Sequence, residues 1–131
     1  MFFHTKSAGC YKCHTVYGRG GRVGPDLSTI GRSHSREKLI ESIFEPGREI
    51  APQYVTWAFE TAEGKVVTGM IVHENEGKTI VGDADGKLTE LKTIDIVSRV
   101  AQQKSVMPDK LPEQMTSQEF RDLIAFLESL K

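Results

Sequence analysis

The chain has 131 residues, enough for one compact domain or a small domain carrying an insertion. Its hydrophobic fraction of 38% and charged fraction of 27% are ordinary for a globular protein. A formal net charge of -1 argues against a nucleic-acid or anionic-membrane partner. No apolar run approaches the roughly 20 residues that a membrane-spanning helix needs.

The first zone, residues 1–50, is rich in Gly, His and basic residues. A short helix is expected over residues 2–9. The start lacks a basic, then apolar, leader and reads as a trimmed chain or a domain cut from a longer protein. Gly18-Arg19-Gly20-Gly21-Arg22-Val23-Gly24-Pro25 is expected to be irregular, because Gly and Pro interrupt both helix and strand. Ser35 can cap a helix in which Leu39, Ile40, Ile43 and Phe44 recur at helical spacing, and Pro46-Gly47 ends it. From about Gln53 to Val100 the period changes to two. Runs at 54–59, 66–72, 79–81, 88–91 and 94–97 read as short strands, separated by turns at Gly64, Gly77 and Gly86. This spacing predicts a meander or small Sm-like or SH3-like barrel. Residues 102–112 read as a loop. Thr116 with Glu119 then forms a capping box ahead of a helix bearing Phe120, Leu123, Ile124, Phe126, Leu127 and Leu130. The strand zone divides two helical zones, so residues 53–100 read as an inserted β subdomain within one domain spanning 1–131.

There are two cysteines, three positions apart, within Cys10-Tyr11-Lys12-Cys13-His14. A disulfide across so short a loop would constrain little of the unfolded chain, so the pair reads as a site. C-x-x-C-H is the attachment motif of c-type haem. Two thiols add across the haem vinyl groups, and the next residue supplies an imidazole to the iron. A redox dithiol is one alternative, but such a pair opens a helix after a strand, and no strand pattern precedes Cys10. Half a zinc site is another, but it needs two further ligands, and only His4, His14, His34 and His73 remain. Gly24-Pro25-Asp26-Leu27 follows closely; a proline carbonyl can hold the far nitrogen of an axial histidine and so set its orientation. The loose basic cluster between Arg19 and Arg36 fits either a solvated loop or the surroundings of haem propionates. A second axial ligand must come from elsewhere, and a methionine thioether raises the potential. Met1 is terminal, Met70 lies in a strand where core packing is expected, and Met115 adjoins a helix cap. Met107, in an irregular stretch before Pro108, is preferred; His34 and His73 stay open. Tyr54 and Trp57 carry a polar handle on an aromatic ring and are expected at the haem edge, Trp57 with the barrel core as an equal alternative.

These residues resemble class I c-type cytochromes: C-x-x-C-H near the start, Gly24-Pro25-Asp26-Leu27 after it, and Met107-Pro108 ahead of a closing Leu123-Ile124-Ala125-Phe126-Leu127 helix. The chain is more similar still to the haem-binding domain of planctomycetes and verrucomicrobia, often found at the end of large multidomain proteins. Val23 to Leu27, Leu39-Ile40-Glu41-Ser42-Ile43 with Glu45-Pro46, Ile50-Ala51-Pro52-Gln53-Tyr54 and Ser105-Val106-Met107-Pro108 carry that likeness. The resemblance implies a mostly α cytochrome c fold with the small antiparallel β-barrel or meander inserted, one covalent haem c, and iron held by His14 and Met107.

Three functions fit this reading. The first is electron transfer by a monohaem cytochrome, with no enzymatic activity of its own, toward redox partner proteins or a fused dehydrogenase-type domain, in a periplasmic or other extracytoplasmic compartment. The second is a haem-based sensor or ligand-binding domain with a displaceable sixth ligand. In the third, the strand zone is an interaction module and the haem is mainly structural.

Overall fold

The computed structural model describes residues 9–131. The helix expected over residues 2–9 lies outside the described residues except for Gly9, which is left-handed at φ 67° and precedes a 3-10 turn, Cys10–Lys12. Two short strands follow, β1 (Thr15–Val16) and β2 (Arg19–Gly20), paired antiparallel. The glycine-rich stretch expected to be irregular thus contributes one strand of a tight hairpin. Next come α1 (Ile30–Ser33) and α2 (Arg36–Phe44). The Ser35 side chain accepts the Lys38 N–H, which satisfies one of the donors left open at a helix start. Helix α2 ends at Phe44, with Glu45 as its C-cap, as expected because the residue before Pro46 is kept from the α region.

Five strands form one antiparallel sheet: β3 (Thr56–Thr61), β4 (Val66–Asn75), β5 (Lys78–Gly82), β6 (Leu88–Lys92) and β7 (Ile96–Ala101), in the order β6-β5-β4-β3-β7. The first three connections are the Gly turns read from the sequence. The outermost strands β6 and β7 are joined by only three residues of 3-10 turn, Thr93–Asp95, so the sheet must curl to bring its edges near each other. It is an open, curled sheet, since among the described residues no ladder joins β6 to β7. Two boundaries differ from expectation. Tyr54 belongs to a 3-10 turn, Pro52–Tyr54, so β3 starts two residues later, and Ile94 is in the 3-10 link, 87% exposed. Both are short connections in which Pro52 and the link geometry outweigh β propensity.

After the sheet comes a 3-10 turn, Leu111–Gln114, which begins within the loop expected over 102–112 and runs past it, and then α3 (Ser117–Ser129). The capping box is formed as read: Thr116 Oγ1 accepts from Glu119 N at 3.1 Å, and Glu119 Oε1 accepts from Thr116 N at 2.9 Å.

The expectation of a mostly α cytochrome c fold is corrected. The protein is β-rich, with a five-stranded antiparallel sheet and three short helices. Helical periodicity is sustained only in α2 and α3. The Gly- and Pro-containing segments around 18–25 and 46–52 cannot extend them.

Two cores result. One joins Val16, Leu39, Ile43, Leu123, Ile124, Leu127 and Leu130, where α2 and α3 meet beneath the β1–β2 hairpin. Burying each such aliphatic side chain contributes roughly 1.5–3 kcal/mol. Helix α1 is tied to the end of α3 by Gly31 N–H donating to the Leu130 carbonyl at 2.7 Å. The sheet buries Phe59, Met70 and Val81 together with the hydroxyls of Thr56, Thr61 and Thr79.

Candidate haem-binding site

The Cys10-to-His14 segment is short and tightly wound. Cys13 N–H and His14 N–H both donate to the Cys10 carbonyl, at 3.2 and 2.9 Å. The glycine-rich loop then folds back over it. Gly21 N–H donates to the Tyr11 carbonyl at 2.8 Å, Gly24 N–H to the Cys13 carbonyl at 2.7 Å, and Thr15 Oγ1 to the Gly21 carbonyl at 2.7 Å. These bonds place Pro25 beside the His14 ring. The His14 Nδ1 lies 2.8 Å from the Pro25 carbonyl oxygen. A carbonyl only accepts, so Nδ1 carries the proton and Nε2 keeps its lone pair for a metal. Burial pushes the His14 imidazole below its ordinary range, against the opposing pull of the Pro25 bond, which favours the neutral form that ligates. Gly24 makes the close approach possible. A Cβ there would lie 2.6 Å from His14 Cε1 and 2.8 Å from Nδ1, too close for any side chain.

Both cysteines are free thiols. Burial pushes each thiol up; for Cys13 the carboxylates of Asp83 and Asp85 push further in the same direction. Together with His14 and Pro25 they line a cavity of about 580 Å³, within the roughly 300–1,000 Å³ usual for small-molecule and cofactor sites. Met107 is on the wall of this cavity, as are Leu39, Ile43 and Leu127 from the helical core and Leu111 from the 3-10 turn before α3. The Met107 N–H is held by Ser105 Oγ at 3.1 Å, which fixes the loop carrying the thioether. The donor set suits a c-type haem: two thiols, a neutral imidazole with its distal nitrogen already engaged, a thioether, and apolar walls. Among the described residues no three His, Cys, Asp or Glu side chains are grouped as metal ligands, so a zinc half-site finds no second half there.

The structure sorts the expected contacts. Cys10, Cys13, His14, Pro25, Tyr54 and Met107 all line the one cavity. Trp57 does not; it is the second residue of β3, opposite Gly69 and Ala101. Met115 packs against the helical core instead of the cavity wall, and His73 lies exposed on β4. His34 reaches the cavity margin, its Nδ1 2.8 Å from Ser33 Oγ. Two contributions were missed in the sequence. Met70, read as core, is buried and lines the cavity from β4. Ala84 and Asp85, read as an ordinary turn, line it from the β5–β6 connection. Only the Asp-rich composition of that turn hinted at a role, because its proximity to Cys13 spans 71 residues of chain.

No protein-family model matches the chain, and no curated protein matches it. No helix among the described residues is long and apolar enough to cross a membrane.

Proposed function

We propose that this chain is a monohaem c-type cytochrome domain that transfers single electrons. The observation that carries the reading is the His14 Nδ1–H bond to the Pro25 carbonyl, made by an imidazole that shares a cavity with two free thiols and the Met107 thioether. Haem c would supply the one-electron couple. Cys10 and Cys13 would anchor it through thioether bonds, and His14 would ligate iron through Nε2. Met107 would complete the coordination, and its soft sulfur favours ferrous iron and a positive potential. Leu39, Ile43, Leu111 and Leu127 keep water from the cavity, which also disfavours the extra charge of the ferric state. Iron held by two protein ligands leaves no position for a substrate, so the role is electron transfer to redox partners or a fused dehydrogenase-type domain. Thioether attachment of haem places that work outside the cytoplasm.

The test is to mature the full chain with haem, extract it with acidified organic solvent, and weigh it. Haem should stay on the chain, and the oxidised protein should show a sulfur-to-iron band at the red end of the spectrum. Met107→Ala should remove that band, lower the potential and open the iron to added ligands; Met115→Ala should leave the band intact. A chain that releases its haem on extraction would sink the reading. A sixth position open to ligands in the parent protein would instead favour a sensor.

A further inference from the structure

We infer that the acidic turn between β5 and β6, residues 83–86, is a potential-setting lid seated on the haem-attachment loop, with Asp83 and Asp85 stabilising the oxidised form of the group bound at Cys13. This inference rests on the haem reading above and assigns to the sheet a task within that same site.

The turn is built to press backbone against backbone. Gly86 is left-handed at φ 80°, and a Cβ on it would overlap the Lys12 carbonyl. No other residue type meets both demands. Four residues earlier, at the end of β5, a Cβ on Gly82 would overlap the Val23 side chain of the glycine-rich loop. The sheet therefore touches the attachment segment at Gly86 and the loop after it at Gly82, and its Ala84 carbonyl lies 3.9 Å from Cys13 Sγ. A haem joined to Cys13 would share the cavity wall with Ala84 and Asp85.

The turn is also rigid. Asp83 Oδ1 accepts from both Asp85 N–H and Lys87 N–H, each at 2.9 Å, and the Asp83 N–H donates to the Lys87 carbonyl at 3.0 Å. The Asp83 carboxylate is thus fixed by its own turn, Asp85 is exposed on the cavity wall, and neither forms a salt bridge among the described residues. Both carboxylates belong to the turn whose Ala84 carbonyl faces Cys13, and the opposite charge of Lys12 is carried by the attachment segment itself. Lys12 offsets one of the two charges and leaves a net negative field. A negative charge held near a redox centre stabilises the state with the more positive charge, here ferric iron. Asp83 is half-buried and Asp85 exposed, so Asp83 should count for more and Asp85 should be the more sensitive to salt.

The experiment measures the midpoint potential of haem-loaded protein by spectroelectrochemistry, with covalent haem verified by mass for every variant. Asp83→Asn with Asp85→Asn preserves the turn, because an Asn oxygen can still accept both N–H groups. The double variant should raise the potential, changing the ratio of oxidised to reduced protein by roughly tenfold, or 59 mV for a one-electron couple. Asp83→Asn alone should give most of that rise. Glu76→Gln, in the β4–β5 turn at the opposite end of β5, should give none. Gly86→Val should force the turn off Lys12, raise the potential as the double variant does, and speed amide hydrogen exchange in the attachment segment. Should Gly86→Val fail to fold, the Asp variants still decide. A fully haem-loaded double variant with the parent's potential overturns this inference and leaves the haem reading standing; a parent chain without covalent haem overturns both.

Discussion

The sheet and the helical half of this protein are stabilised in different ways. The sheet, residues 56–101, is assembled mostly from hairpins between sequence neighbours, and its three inner strands are paired on both sides. Its interior is part polar. Thr79 is fully buried and its hydroxyl donates to Glu74 Oε2 at 2.6 Å, while Arg99 donates to both oxygens of the same carboxylate at 2.6 and 3.3 Å. Arg99 also lies 5.6 Å from the centre of the Phe59 ring. The helical half brings together segments more than 70 residues apart, such as α2 and α3, around a small aliphatic core with a cavity of about 580 Å³ on its flank. The sheet can form largely from local contacts, whereas the helical half must close a long loop before its contacts form.

The largest expected effect breaks the helical half and spares the sheet. If the proposed function holds, replacing both thiols, Cys10→Ala with Cys13→Ala, should abolish covalent haem and cost that half on the order of 5 kcal/mol, since an unfilled apolar cavity forfeits its contacts. Circular dichroism should show the loss of helix signal, while hydrogen exchange in β3 and β4 stays slow. Equal loss in both halves would mean that the sheet does not hold itself up. The converse experiment is Phe59→Ala, which removes the largest fully buried side chain of the sheet and should cost about 3–5 kcal/mol. Chemical denaturation should show the destabilisation, and the haem spectrum of the folded protein should be unchanged. Gly24→Ala sharpens the contrast at the site itself. Its methyl must displace the His14 ring, so about 1–3 kcal/mol of stability and a shifted haem spectrum are expected together.

The smallest effect is in the sheet network. Arg99 and, next, Thr79 hold the Glu74 carboxyl below its ordinary value of 4.5. A depressed carboxyl contributes stability that is present above its unfolded pKa and is lost as pH falls through the folded one. Glu74→Gln should therefore cost about 1 kcal/mol or less at neutral pH, given that the pair is partly exposed to water. It should flatten the loss of sheet stability below pH 4.5, read by denaturation at a series of pH values. A variant as acid-sensitive as the parent would show that the Arg99 pair contributes nothing measurable.

Local chemistry was legible in the residues alone. Ser35 and Thr116 cap their helices, and Gly64, Gly77 and Gly86 turn the strands, because each of these depends on atoms within a few positions. The motif at Cys10, Cys13 and His14, and the placing of Pro25 beside the His14 ring, also follow from a stretch of 16 residues held by short-range bonds. The balance of the fold was not legible. Family likeness pointed to a mostly α protein, but a likeness carried by a few motifs does not weigh the long strand zone between them, and the sheet is the largest element.

The sequence by itself determined the Cys10-to-His14 segment, the starts of α2 and α3 and the strand periodicity, since these are set by backbone sterics and nearest-neighbour hydrogen bonding. Tertiary structure alone decided which side chains meet across the chain. It brought Met70 and Asp85 to the cavity wall, left Trp57 off it, and laid Gly86 on the Lys12 carbonyl. Those contacts join residues tens of positions apart, where alternating strand periodicity says which face a side chain takes but not what that face will touch.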